Sequence, residues 1–396
     1  MMEHPRTTNV KVIFALSFVN FIGYFYTSFI SPLLPLFVDK FSLTLTQVGL
    51  IIGTSRLISS VAQPSVGYLA DHYQTRFFVL GGPFLTIIFF SLVGVAPYYW
   101  VLLLFVSLGA IGSSMFYPTS AGMVSLYSSR HFGFSLSMLE MGGILGFGVG
   151  PLFIAYFVDS FGLTASPFMI IFGLILMVYI FRLVPLPQEK KLKNSGFVSS
   201  LKETFGRIWE SILLICVLMV LRSFISQFFY AFIPVLYAKE GYSLISIGLI
   251  MSILTLSGVI SSPLAGYLSD KIGYKRILYT TNLLVTLSLC LLLYLRGSWV
   301  YIGVFLTGFF LWPTLPLGVA MAQELAPKGR SMVSSLMVGL AGGMGALMIP
   351  LAGKIADMFS IRAVLSLVGI IPLLSIGIIF LIPMKINSHQ SNQISL

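Results

Sequence analysis

The chain has 396 residues, of which 57% are hydrophobic and only 9% are charged, and its mean hydropathy is +0.98. A soluble domain of this length carries far more charge on its surface, so the composition excludes a soluble globular protein. The formal net charge of +11 does not call for nucleic acid, because positive charge in a membrane protein follows its topology.

Apolar runs recur along the whole chain, and each has about the 20 residues that a helix needs to cross a ~30 Å hydrocarbon layer. Residues 212–221 (ILLICVLMVL) are apolar on every side, which excludes the alternating strands of a transmembrane barrel. The pattern predicts an all-α membrane protein with twelve spans, at about 10–38, 44–70, 77–96, 98–124, 131–157, 164–184, 208–236, 243–269, 276–295, 298–323, 330–356 and 360–383.

One long polar connection, residues 185–207, divides these spans six and six. It predicts an N-terminal six-helix bundle over 1–184, a cytoplasmic linker over 185–207 and a C-terminal six-helix bundle over 208–396. Of the 23 Lys and Arg residues, sixteen lie on the face that holds both termini and five on the other face. The positive-inside rule therefore predicts cytoplasmic termini and a multi-pass protein of the cell inner (plasma) membrane.

The two halves of the chain align without a gap at an offset of 199 residues. Residues 49–71 (GLIIGTSRLISSVAQPSVGYLAD) and 248–270 (GLIMSILTLSGVISSPLAGYLSD) share nine identities in 23, and Asp159 matches Asp357 at an offset of 198. The chain is an internal duplication. Two six-span units of the same orientation predict two bundles related by a pseudo-two-fold axis along the membrane normal, with a central cavity between them.

The duplicated segment ends in the loops after spans 2 and 8, GYLADHYQTRFF (67–78) and GYLSDKIGYKRI (266–277). These loops resemble the signature loop of the major facilitator superfamily, G-x-x-x-D-[RK]-x-G-[RK]-[RK]. The resemblance implies the major facilitator fold and a gating role for the matching residues, which hold the outward-open state and release it as the bundles rock. The matching residues are Gly67, Asp71 and Arg76 in the first copy, and Gly266, Asp270, Lys271, Gly273, Lys275 and Arg276 in the second. Solvated loop charges are the alternative.

Span 5 contains GGILGFGVGPLFIAYFVD (142–159), which resembles the glycine- and proline-rich signature of drug and proton antiporters in the same superfamily. Gly146, Gly150 and Pro151 carry the resemblance, which implies antiport. The glycine pair expected after the proline is replaced by Ile154 and Ala155. Helix packing alone is the alternative, since small residues let helices approach closely.

Span 4 contains GAIGSSMFYPTSAGMVS (109–125), which resembles exporters of the fosmidomycin-resistance type. Tyr117 stands where that type has an aromatic or His-Pro step. The span-4 arginine of proton-driven drug exporters is replaced by Phe105.

Three charged residues lie near span centres: Arg56, Glu140 and Arg222. A charge within the membrane costs roughly 2.5 to 3.5 kcal/mol on insertion scales unless it is paired or wetted, so these residues are candidate functional groups. Glu140, the one carboxylate among them, is the candidate proton carrier. An Arg56–Glu140 structural salt bridge is the alternative. It would leave Arg222 unpaired, and a free guanidinium favours a ligand with a carboxylate, phosphate or phosphonate.

We therefore predict a secondary transporter that moves a small organic solute, amphipathic or anionic, by alternating access. Proton-coupled efflux is the first hypothesis and proton-coupled uptake of an organic anion the second. The candidate substrate-binding residues are Arg56, Arg222, Asn20, Tyr24, Gln227, Tyr230 and Trp312. The partners are substrate, protons and the lipid bilayer.

An enzyme is not expected, because the four histidines are scattered and no catalytic cluster is evident. We expect no cofactor, no metal and a monomer, and no nucleotide-binding loop of the G-x-x-x-x-G-K-[ST] kind is present. A receptor is disfavoured by the short basic linker. The sequence does not name the substrate, the transport direction or the coupling ion.

Overall fold

A computed structural model describes residues 9–72, 75–128, 132–183, 209–325, 333 and 336–382. Twelve helices in this part are long and apolar enough to cross a membrane. We number them α1 to α12 in chain order. Their bounds are α1 Val10–Thr27 and Ile30–Phe41, α2 Leu45–His72, α3 Thr75–Leu92, α4 Tyr99–Tyr127, α5 Phe132–Phe161, α6 Phe168–Leu183, α7 Trp209–Lys239, α8 Leu244–Ile272, α9 Tyr274–Leu292, α10 Trp299–Leu311 and Thr314–Leu325, α11 Leu336–Leu340 and Ala341–Met358, and α12 Ile361–Leu381.

Helix ends coincide with local capping signals in the sequence. Asn9 accepts from the backbone N–H of Val12 at 3.4 Å, and Ser360 accepts from that of Ala363 at 3.0 Å, so each side chain satisfies a free donor of a first turn. Gly241 and Gly273 follow α7 and α8 with φ of 86° and 92°, a backbone conformation that a side chain disfavours. Residue type at these positions therefore favours the helix ends that the structure has.

The prediction of two six-helix bundles is confirmed. In the first bundle α1 packs against α5 and α2 against α4, and the second bundle repeats this with α7 against α11 and α8 against α10. The bundles meet at two seams that the pseudo-symmetry also relates, α2 with α11 and α5 with α8. The predicted linker, 185–207, lies outside the described residues.

Within the described residues, spans 1 and 10 each contain a break between two helical segments. Span 1 is interrupted at Ser28 and Phe29, and span 10 at Trp312 and Pro313, where proline has no N–H to continue a helix. Interrupted helices are stable within a membrane only where the freed backbone groups face protein or a water-filled space. Ser28 and Trp312 lie inside the bundle assembly, half-buried or buried, in agreement with that rule.

Twelve crossings place residues 9 and 382, the two ends of the described part, on one side of the membrane, which we call the terminal face; the other side is the opposite face. Near the opposite face the two bundles are in direct backbone contact at both seams. A Cβ atom at Gly49 would lie 2.8 Å from the Ile349 carbonyl oxygen, and one at Gly248 would lie 2.7 Å from that of Pro151. Glycine at these two positions is what allows the bundles to close there.

Candidate functional site

Glu140 lies on α5 at the point where α4 and α1 meet that helix. The Tyr117 hydroxyl on α4 donates a hydrogen bond to the Glu140 carboxylate. Asn20 on α1 donates from its side-chain nitrogen to the carbonyl oxygen of Leu139 at 3.1 Å, which fixes the backbone beside Glu140. The Glu140 side chain is solvent-accessible although protein atoms surround it, so it lines a hollow within the bundle assembly.

Arg56 on α2 does not form the predicted alternative salt bridge with Glu140. Salt bridges in the described part of the chain are confined to Glu240 with Arg296 and Arg362. The Arg56 guanidinium carbon instead lies 5.1 Å from the centre of the Phe147 ring on α5, a cation–π contact. The carboxylate and the guanidinium are therefore both free to act on a third group.

Arg222 on α7 is held by an aromatic ring and not by an acid. Its guanidinium carbon lies 5.1 Å from the centre of the Trp312 ring, and Trp312 donates from Nε1 to the Leu254 carbonyl oxygen at 2.8 Å. A Cβ at Gly258 would lie 2.5 Å from this ring, so the glycine leaves the space that the ring fills. The Nε and NH2 groups of Arg222 are buried and have no hydrogen-bond partner.

The two arginines face one region between the bundles. Both interact electrostatically with Tyr230 and with each other. The Tyr230 ring packs edge-on against Phe147 at a centroid distance of 5.2 Å, and its hydroxyl pairs with that of Thr255 at 2.7 Å. The structure thus brings Arg56 from the first bundle and Arg222 from the second together with the rings of Phe147, Tyr230 and Trp312. We call this group, with Glu140 and Tyr117 beside it, the central cluster.

The other predicted lining residues lie around this cluster but already have packing roles. Gln227 donates to the Ser223 hydroxyl at 2.7 Å and to the Gly342 carbonyl oxygen at 3.0 Å, while its side-chain oxygen and that of Asn20 are buried without a donor. Tyr24 packs edge-on against Phe116 at 5.3 Å. These two amide oxygens are the acceptors that a ligand N–H or O–H could use.

Sequence reasoning missed two residues of the cluster. The sequence predicts for Tyr117 only its place in span 4, and its pairing with Glu140 follows from the contact between two helices, which no local pattern reveals. Phe147 follows Glu140 by seven residues, so both lie on the same face of α5. That spacing was a usable signal.

The antiporter-like glycines lie at the contact of α5 with α1. A Cβ at Gly146 would collide with the Phe21 carbonyl oxygen, and one at Gly150 with the Ser28 hydroxyl and the Phe25 carbonyl oxygen. Pro151 lies inside α5 and its carbonyl oxygen faces α8. The packing alternative therefore accounts for both glycines, and the antiport reading stays a prediction.

The second signature loop connects the terminal-face ends of three helices. Gly273 ends α8, and Lys275 donates from Nζ to the Ile382 carbonyl oxygen at 2.5 Å, which ties this loop to the end of α12. The Lys271 ammonium lies 4.4 Å from the centre of the Tyr267 ring.

The remaining signature residues of the second loop are Gly266, Asp270 and Arg276. Asp270 lies close enough to Tyr274 to interact electrostatically with it. Arg276 is exposed, and no atom lies within 4 Å of a Cβ built at Gly266. In the first loop, the side chains of Asp71 and Arg76 and the surroundings of Gly67 lie outside the described part of the structure.

A separate cavity of about 730 Å³ opens at the opposite face of the second bundle, beyond the end of α7, the helix that carries Arg222 and Tyr230. One acid and two bases line it: Glu240 accepts from Arg362 at 2.5 Å and lies 3.6 Å from Arg296. Arg362 also donates to the Leu293 carbonyl oxygen at 2.7 Å. This arrangement ties the ends of α7, α9 and α12 together, which is a structural role.

With this geometry in view, the comparisons with known proteins agree on the class. The model of the Major Facilitator Superfamily matches residues 16–331 and 215–395. The chain belongs to the major facilitator superfamily of membrane transporters, as the signature loops predict, and it is not an enzyme.

The chain is 29% identical to the fosmidomycin resistance protein of Escherichia coli over 94% of this chain and 93% of that protein. It is 26% identical to the multidrug resistance protein MdtG of Enterobacter lignolyticus over 71% of each. Among solved structures, a bacterial homologue of the human lysosomal transporter Spinster, in its inward-facing unoccupied conformation, matches with a TM-score of 0.77 at 14% identity, over 94% of this chain and 96% of that one. The nucleoside transporter NupG matches with a TM-score of 0.78 at 13% identity, over 95% of this chain and 100% of that one. These two likenesses concern the fold.

Proposed function

We propose that this transporter moves a small organic solute, amphipathic or anionic, by alternating access, with proton-coupled efflux as its activity. The terminal face is then the cytoplasmic side of the cell inner membrane, since the span pattern of the sequence assigns sixteen of the 23 Lys and Arg residues to it. The protein works as a monomer in the lipid bilayer.

The single observation that carries the substrate class is the pair of free N–H groups on Arg222. A buried donor without a partner is costly, and one on a charged group more so, which favours a ligand that supplies acceptor oxygens. The Trp312 ring holds the guanidinium plane in place without using its donors. A carboxylate, phosphate or phosphonate can accept two parallel hydrogen bonds from such a group.

Glu140 is the proposed proton carrier because it is accessible, paired to a neutral phenol and not to a cation. A carboxylate in a salt bridge with Arg56 would be held in its charged form, whereas Glu140 has no such partner in the described residues. It can therefore take up and release a proton as the space around it opens first to one face of the membrane and then to the other.

Efflux is favoured by the names of the relatives, which are resistance proteins. The electrostatics of the cluster favour the second candidate, uptake with a proton. A negatively charged Glu140 repels an anion in the same cavity, so anion binding and Glu140 protonation assist each other, which is the behaviour of a symporter. A substrate with a cationic or bulky amphipathic part would instead displace the proton and give antiport.

The test is a proteoliposome assay with a pH-sensitive dye in the lumen and no imposed gradient. Fosmidomycin is the first probe because it is a phosphonate and because a relative is named as a fosmidomycin resistance protein. Its neutral phosphonate ester is the matched control. Antiport predicts that external probe makes the lumen more alkaline, and symport that it makes the lumen more acidic. If the lumenal pH stays constant while labelled probe crosses the membrane, proton coupling is wrong.

A further inference from the structure

The first turn of α2, at the opposite face, is only partly capped by its own residues. The Thr44 hydroxyl accepts from the backbone N–H of Gln47 at 3.2 Å, and the Gln47 side chain accepts from that of Thr44 at 2.9 Å. This reciprocal pair is a capping box. The next two N–H groups, of Leu45 and Thr46, have no partner within the helix, because the first donors of any α-helix lack one.

Asp357, at the end of α11 in the other bundle, satisfies both of these donors. Its carboxylate accepts from the backbone N–H of Leu45 at 2.7 Å, from that of Thr46 at 2.9 Å and from the Thr46 hydroxyl at 2.6 Å. A carboxylate at a helix N-terminus is further favoured by the helix dipole, and charge-assisted hydrogen bonds are stronger than neutral ones. Three hydrogen bonds therefore join the two bundles through one side chain.

These bonds lie at the end of a seam that is closed by backbone contact. A Cβ at Gly353, one helical turn before Asp357, would lie 2.5 Å from the Leu45 carbonyl oxygen. A Cβ at Gly53, further along α2, would lie 3.0 Å from the Ala346 carbonyl oxygen. Because α2 and α11 touch along this length, they cannot separate at the opposite face without breaking the bonds to Asp357.

The pseudo-symmetric seam between α5 and α8 lacks this device. Asp159 is the counterpart of Asp357 and is exposed like it, but it has no hydrogen bond or salt bridge to any described residue. Ile245 stands where the first half has Thr46, so the hydroxyl is missing as well. Ser243 caps α8 within its own chain segment and accepts from the Ser246 N–H at 3.2 Å.

We propose that Asp357, Leu45 and Thr46 form a one-sided latch that holds the opposite face closed and must break for the cavity to open there. The latch rests on the alternating access of the proposed function, but it needs neither the substrate nor the coupling ion. The two seams differ in what resists their opening. Between α2 and α11 it is the charge-assisted contact of Asp357. Between α5 and α8 it is helix packing with one side-chain hydrogen bond, in which Ser252 accepts from the Leu152 N–H at 3.2 Å.

The experiment measures the distance across the opposite face by electron paramagnetic resonance in nanodiscs without substrate. Spin labels are placed at Tyr98 and Tyr294, exposed loop residues of the first and second bundle that lie outside the latch. The unpaired Cys216 and Cys290 are first replaced by serine. A closed opposite face gives the short distance, and an open one the long distance.

Asp357→Ala should raise the ratio of long to short distances by roughly fivefold, the size expected for a few exposed charge-assisted bonds. Thr46→Val, which removes only the hydroxyl, should shift it less and in the same direction. Asp159→Ala is the matched control and should leave the ratio unchanged. The latch is wrong if Asp357→Ala reproduces the parent distribution, or if Asp159→Ala shifts it as much.

No transport enters this measurement, so an unchanged distance distribution concerns the latch alone. Failure of the proposed function shows separately, as absence of probe transport by the unlabelled parent in proteoliposomes. If Asp357→Ala does not purify as a folded protein, Thr46→Val carries the test with the same two outcomes.

Discussion

The phenol of Tyr117 on α4 donates a hydrogen bond to the carboxylate of Glu140 on α5, 23 residues further along the chain. This contact gives the one carboxylate of the central cluster a neutral partner. Tyr117→Phe removes the donor and keeps the ring. A hydrogen bond to a charged group contributes about 1.5 to 3 kcal/mol, so gradient-driven transport should fall roughly tenfold or more.

The pH profile of initial transport rates checks the Tyr117 prediction. The midpoint of the profile should move in Tyr117→Phe, and the melting temperature should fall only by the loss of one hydrogen bond, because the ring still fills its space. A packing role for Tyr117 predicts the converse, a lower melting temperature with the parent pH profile.

Arg222→Lys keeps the positive charge but loses the planar pair of donors, so it should weaken the binding of an anionic probe by about tenfold. Isothermal titration with fosmidomycin measures this. Arg296→Lys, a surface arginine at the opposite face, is the matched control and should bind as the parent does. An Arg222→Ala protein that binds the probe with parent affinity contradicts the anion site.

Gly146→Ala should lower the melting temperature by several degrees, since the added Cβ collides with the Phe21 backbone and must force α1 and α5 apart. Gly81→Ala is the control, because nothing lies within 4 Å of a Cβ at that helical position. Thermal unfolding followed by thiol-reactive dye compares the two. Equal melting temperatures would show that α1 and α5 do not depend on this close approach.

Asp270→Asn should slow substrate exchange by several-fold while expression stays at the parent level, because the loop charge is proposed to change partners during the cycle. We make the same prediction for Asp71→Asn. Glu210→Gln, an exposed acid at the start of α7 on the same face, is the control. Parent-level exchange in both loop variants would leave the signature loops without a gating role.

The fold could be predicted because its signals are local and repeated. Span length and the polar linker depend on neighbouring residues, and the duplication repeats the same local pattern 199 residues later, so together they predict two bundles of six helices. The break at Trp312 and Pro313 also had a local signal, since proline cannot continue a helix, but long apolar runs conceal such breaks.

The site could be predicted only as a list of residues, three charged ones with polar and aromatic candidates such as Tyr230 and Trp312, and not as a set of contacts. Arg56, Glu140 and Arg222 stood out because charges within spans are rare and costly. The groups that they contact depend on how the helices pack. Arg56 contacts the Phe147 ring and not Glu140, although the sequence is equally compatible with an ion pair between Arg56 and Glu140. The Asp357 contact with Thr46 joins residues 311 positions apart, and no periodicity reveals it.

The most direct test of proton coupling at Glu140 is transport by Glu140→Gln in proteoliposomes, with and without an imposed pH gradient. Glutamine keeps the size and can still accept from Tyr117, but it does not exchange a proton, and no salt bridge in the described structure is lost. We predict that gradient-driven accumulation of the probe is abolished, while exchange of labelled for unlabelled probe and the melting temperature stay near the parent values. Full gradient-driven accumulation in Glu140→Gln would contradict the account, because the proton would then be carried by another group.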